Sequence, residues 1–120
     1  MSKKNILELA ARERQAFRTS RLARDRKASW IALEREHILA QGFFWPHIRS
    51  HVAMLGYAFE TRDGPEIRGQ IIRLALAPFG NLTRNLPLGN TGRADVSAFK
   101  SMPYPEDLAL ALSISREEEE

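Results

Sequence analysis

Cysteine is absent from all 120 residues. That single absence removes disulfides, thiolate nucleophiles and cysteine-based zinc or redox sites together, and it fits a reducing compartment. Long apolar runs are missing too. No stretch approaches the ~20 residues needed to span a bilayer. The opening MSKKNILELAARERQ meets charge again at Glu8, Arg12 and Glu13, so it does not read as a secretory signal. A cytoplasmic protein without a membrane span is expected. No Ser-His-Asp or Cys-His phrase is present. No HExxH zinc-protease motif is present either, because the one candidate, His47 to His51, has Ile48 where the Glu base would stand. The Gly-Lys-Ser/Thr end of a phosphate loop is also lacking. These gaps argue against an enzyme.

Apolar residues at 43% and charged residues at 28% are ordinary globular values. A chain of this size buries roughly two thirds of its unfolded surface and suits one domain. Residues 1–112 are expected to form it, with 113–120 as a frayed acidic tail. Net charge is +3, but Met1 to Arg35 carries ten Lys/Arg against four Asp/Glu, a surplus of six. The last four residues are all Glu. A basic stretch of this kind is ordinarily a solvated helix face. It lacks aromatic interleaving and a recognition helix, so no specific nucleic acid binding is expected.

Apolar periodicity predicts an all-α fold, a small bundle of four or five helices with a long ordered C-terminal loop. The first helix runs from Lys4 to about Arg24, capped by Ser2 or Asn5, and no Gly or Pro marks its end. The second spans Ala28 to Gln41, with Trp30, Ile31, Glu34, His37, Ile38 and Gln41 on one side. Gly42 is read as its left-handed stop. Trp45-Pro46 opens the third, which reaches about Thr61. It carries His47, His51, Met54, Leu55 and Ala58 as a buried stripe. The fourth runs from Pro65 to Ala77, apolar on more than one side and ended by Pro78. A short helical turn follows between Gly80 and Leu86. Pro87 to Pro105 has no helical period, yet Leu88, Val96, Phe99, Met102 and Tyr104 make it an ordered strap. A last helix spans Pro105 to Leu112. Helices two to four are expected to form an antiparallel core, with helix one alongside.

Two phrases exceed simple pattern. One is Arg35-x-His37-Ile38-Leu39-x-Gln41 followed by Trp45-Pro46-His47-x-Arg49-x-His51-x-x-Met54-Leu55. The other is Pro87-Leu88-Gly89-Asn90-Thr91-Gly92-Arg93-Ala94 with Val96-Ser97 and Met102-Pro103. Together they resemble the small bacterial family catalogued as domain of unknown function 3703, across Ala28 to Leu108. The resemblance implies a compact helical protein and brings no established activity or ligand set. Met54, Ala58, Asp63, Ile67, Ile71 and Leu74 also fall near the spacing of a tetratricopeptide hairpin, a similarity of helix pairing alone.

The three histidines are the one constellation with site-like spacing. His47 and His51 lie four apart on one helical face, so both rings can reach one ion. A short turn at Gly42 would bring His37, five residues before it, level with His47, five residues after it. Neutral imidazoles suit a divalent transition metal such as zinc, copper or nickel. Glu34, one turn before His37, would add an oxygen or orient a ring. The competing reading makes them core histidines hydrogen-bonded to neighbours, since they share their stripe with Met54 and Leu55. Gly89, Asn90, Thr91, Gly92 and Arg93 could cradle an anion through backbone N–H groups, although a tight glycine turn explains the same residues. The function expected first is a non-enzymatic binding or accessory module with a protein partner or self-association. A metal-ion binding or metal-handling protein using the three histidines stands second.

Overall fold

The computed structural model describes residues 2–83, 89–97 and 100–119, with side chains through residue 112. Among these residues five helices follow one another: α1 (Lys3–Leu22), α2 (Arg26–Ala40), α3 (Phe44–Glu60), α4 (Gly64–Thr83) and α5 (Glu106–Glu119). No strand occurs among the described residues. The fold is all-α, as the periodicity predicts.

The break between α1 and α2 explains why no glycine announces it. Arg24 takes φ 57°, the left-handed conformation usually left to glycine. The Asp25 N–H reaches the Ser20 carbonyl at 2.9 Å, and the Arg24 N–H reaches Arg21 at 3.0 Å. This pair closes the exposed end of α1. Asp25 then starts α2 by accepting from the Ala28 N–H at 3.0 Å, as Ser2 accepts from Asn5 at the start of α1. The same closure recurs after α3, with Arg62 at φ 55° and the Asp63 N–H on the Ala58 carbonyl. Gly42 is a correction. Positive φ among the described glycines falls at Gly89 and Gly92, not at Gly42. The α2–α3 turn needs no left-handed residue, because the Phe43 N–H closes directly onto the Ala40 carbonyl at 2.9 Å.

Two hairpins, α1 with α2 and α3 with α4, join through α2 packed on α3. The most enclosed helix is therefore α2, not the fourth. Trp30, Ala32, Leu33, Ile38, Leu39 and Ala40 are all buried around it. One core cluster joins Phe17, Trp30, Leu33, Met54, Tyr57 and Ala58. Phe17 and Trp30 both meet Tyr57 edge-on, at 5.3 and 5.2 Å. A second joins Ile6, Ala10, Ile38 and Leu39 to Leu108 of α5. The predicted α3 stripe is buried at His47, His51, Met54 and Ala58, while Leu55 is half-buried and Tyr57 takes its place in the core. Part of the basic lead-in is paired: Arg14 with Glu36, Arg21 with Glu60, Arg26 with Asp63, and Arg35 with both Glu13 and Asp107.

α4 departs most from expectation. It buries Glu66, Gly69, Gln70, Arg73 and Ala77, and leaves Ile71, Ile72, Phe79 and Leu82 exposed. Nor does Pro78 end it. A proline inside a helix removes one hydrogen bond, here to the Leu74 carbonyl, and costs ~3 kcal/mol or more. The turn beyond it is held from outside, because the Asn81 side-chain N–H donates to the Gln41 carbonyl at 3.0 Å. The turn expected at Gly80–Leu86 is thus, as far as Thr83, the end of α4. α5 is assigned from Glu106 to Glu119, longer than the Pro105–Leu112 helix expected, and no Gly or Pro interrupts it. Of the strap, Leu88 and Phe99 lie outside the described residues; Val96, Met102 and Tyr104 are half-buried.

Arg62→Gly is expected to stabilise the protein. It relieves a left-handed penalty of roughly 1–2 kcal/mol, less the entropy that glycine adds to the unfolded chain. A thermal melt should show a rise of a few degrees; a fall would mean that the Arg62 side chain itself stabilises the turn.

Candidate metal centre

α2 contributes His37 and α3 contributes His47 and His51. The tight α2–α3 turn and the four-residue spacing bring the three rings together. His37 Nε2 lies 3.2 Å from His47 Nε2 and 3.1 Å from His51 Nε2. Ring centroids are 5.0, 4.6 and 5.0 Å apart. All three residues are buried, at 2%, 4% and 3% exposure.

The outward nitrogens settle the protonation. His37 Nδ1 faces the Asn90 carbonyl oxygen at 2.8 Å, His47 Nδ1 faces Asn81 Oδ1 at 2.7 Å, and His51 Nδ1 faces Gln70 Oε1 at 2.8 Å. A carbonyl oxygen can only accept, so each Nδ1 donates to it. The amide orientations are fixed as well. Asn81 Nδ2 donates to the Gln41 carbonyl, and Gln70 Nε2 donates to Glu66 and to the Gly92 carbonyl. Turning either amide over would set its N–H groups against the ring N–H and its oxygen against other oxygens. With a hydrogen on every Nδ1, the three Nε2 atoms are left bare and point at one another.

Burial also works against a proton held between them. Burial pushes all three imidazoles below their ordinary range, His51 to about 4. For His37 the neighbouring His51 and His47 push further in the same direction. Three converging lone pairs in a buried place are unfavourable alone and are suited to a cation. Ligand nitrogens ~2.0–2.1 Å from a tetrahedral ion stand about 3.3 Å from each other. The observed separations are close to that. Among the described His, Cys, Asp and Glu, His37, His47 and His51 form the one grouping with metal-ligand spacing.

Glu34 does not join it. Its carboxylate accepts from Arg93 at 3.2 Å, and burial pushes that carboxyl up while Arg93 pulls it back. The Gly89–Arg93 turn has its own partners. Arg93 stacks on Trp30 at 3.8 Å and donates to Glu66. The Ala94 N–H donates to Glu66 at 2.9 Å, and the Gly92 N–H to Asn90 Oδ1 at 2.8 Å. The anion this turn holds is the protein's own Glu66. The turn also serves the histidines. It delivers the Asn90 carbonyl to His37 and the Gly92 carbonyl to Gln70, while Asn90 Nδ2 ties it to the Ser97 and Lys100 carbonyls. Gln70, Asn81, Glu66 and the Asn90 carbonyl were not found from the sequence. One signal was there: Glu66, Gln70 and Arg73 recur at helical spacing on a helix otherwise read by its isoleucines.

Two outcomes are expected. A Cβ at Gly92, which has φ 83°, would lie 2.9 Å from the His37 ring. Gly92→Ala should therefore lose at least ~1–2 kcal/mol in a denaturant titration. Without metal, the protein should also weaken in acid. Unfolded histidines take up protons near 6.5, whereas the folded ones resist until well below, about 4 for His51. The unfolded state thus binds more protons between those values, and stability falls as pH drops through that window. A flat urea midpoint from pH 7 to 4.5 would contradict the buried neutral cluster.

No curated protein and no solved structure matches the chain significantly. The family model described as a protein of unknown function, DUF3703, matches residues 4–112, and the chain belongs to that family.

Proposed function

We propose that this protein is a non-enzymatic metal-ion binding or metal-handling module that holds one divalent transition-metal ion on His37, His47 and His51. One observation carries the reading: three buried Nε2 atoms converge while each Nδ1 donates to a carbonyl oxygen. Metal-bound histidines commonly use their second nitrogen in this way, because the oxygen fixes the tautomer and raises the basicity of the donor. An all-nitrogen donor set suits zinc, copper, nickel or cobalt better than calcium or magnesium, which prefer oxygen.

Calorimetric titration of metal-free, untagged protein is expected to show one zinc per chain. Zinc at a thousand times its Kd should stabilise the fold by about 4 kcal/mol. His51→Gln should abolish this gain. Gln70→Ala and Asn81→Ala should keep the stoichiometry and weaken affinity about 10–100-fold. If zinc, copper, nickel and cobalt all fail to bind or stabilise, the cluster is a polar core and the metal reading ends.

The reading as a module with a protein partner or self-association has its own support in Ile71, Ile72, Phe79 and Leu82, exposed together on α4. Sedimentation equilibrium tests the self-association part: a monomer at all concentrations would remove it.

A further inference from the structure

We infer that the ion held by His37, His47 and His51 keeps one coordination position for an exchangeable small anion from solution. This rests on the proposed metal site and goes beyond it by naming the fourth ligand's class. The His37 Nε2 separations of 3.2 and 3.1 Å match edges of a ligand tetrahedron, and three ligands on such an ion leave a fourth vertex. Structural zinc sites fill that vertex with a fourth protein ligand, whereas sites that exchange a ligand leave it open.

This chain is short of candidates for that vertex. It has no cysteine and no fourth histidine. Among the described residues no carboxylate joins the histidine grouping. The nearest carboxylate along the hydrogen-bond chain is Glu66, and both its oxygens are already taken. Oε1 accepts from Arg93, and Oε2 accepts from Gln70 and the Ala94 N–H. Glu66 is set one link outside the donor atoms, bonded to the Gln70 that orients His51. Glu34 is likewise held by Arg93.

Charge points the same way. Neutral imidazoles leave a dication its full charge, and an unbalanced buried charge is costly. The nearby charged side chains balance it only in part. Glu66, Glu34 and the exposed Asp95 are three carboxylates against the two guanidinium groups of Arg93 and Arg73. Arg73 is buried and bonded to the Gly69 and Val96 backbone carbonyls, which bring no charge of their own. A monoanion on the fourth vertex removes half of the dication's charge, and hydroxide, halide and azide share that chemistry.

Cobalt(II) makes the test visible, because its visible absorption bands report its ligands. The full-length chain is loaded with one cobalt per protein and titrated with sodium azide. A saturable shift of the bands with one azide per cobalt is expected. His47→Gln, with its fold checked by circular dichroism, should lose both the bands and the response. One cobalt per chain with bands unmoved at saturating azide would overturn the open position and leave the metal site standing. An azide response that persists in His47→Gln would place it at another site and overturn the inference. Failure to bind cobalt at one per chain would overturn the proposed function together with the inference.

Discussion

Three imidazole nitrogens without hydrogens cannot share a small buried space unless something else orders them. Here the ordering comes from the far side of each ring. Asn90, Asn81 and Gln70 each present a carbonyl oxygen to an Nδ1, so every ring turns its bare Nε2 inward. These acceptors come from different parts of the chain: the turn at 89–97, the last turn of α4, and the middle of α4. Holding them in place requires α4 and the turn to dock on the α2–α3 pair, and much of the remaining structure serves that docking.

α4 shows the cost of this arrangement. A helix buries its apolar face when burial alone decides. α4 instead points Glu66, Gln70 and Arg73 inward and leaves Ile71, Ile72, Phe79 and Leu82 half or more exposed. The exchange is physically tolerable because the buried polar groups are bonded. Gln70 bridges His51, Glu66 and Gly92, and Glu66 binds Arg93 and the Ala94 N–H. The helix also runs past Pro78, which places Asn81 between His47 and Gln41. Stopping at Ala77 would leave the His47 Nδ1 without that acceptor, at ~1–3 kcal/mol for a buried unpaired donor.

The glycines of the 89–97 turn have a local reason. Gly92 combines a positive φ with a setting where a Cβ would lie 2.9 Å from the His37 ring, and at Gly89, with the same hand of backbone, a Cβ would run into the Met102 carbonyl. Only a residue without Cβ lets the chain come this close to the cluster. The turn therefore works as a lid of backbone carbonyls, and its Arg93 clamps it to α2 and α4 by stacking on Trp30 and pairing with Glu34 and Glu66.

Local pattern was enough for the helices, for the buried face of α3 and for the pairing of His47 with His51, because helical geometry alone puts residues four apart on one side. The short α2–α3 connection also made the approach of His37 foreseeable. Other features depended on parts of the chain distant in sequence. Arg24 and Arg62 close helices where glycine would have been the local signal, and Gly42 turns without using its freedom. Which face of α4 turns inward was decided by hydrogen-bond partners on α3 and on the 89–97 turn, against the hydrophobic period. Glu34 was placed near the histidines by helical spacing, but Arg93, fifty-nine residues later, engages its carboxylate. The sequence by itself determined the helices and two of the three inward rings. Only the tertiary structure decided the third, the protonation and the acceptors, because those depend on carbonyl oxygens whose positions no local period encodes.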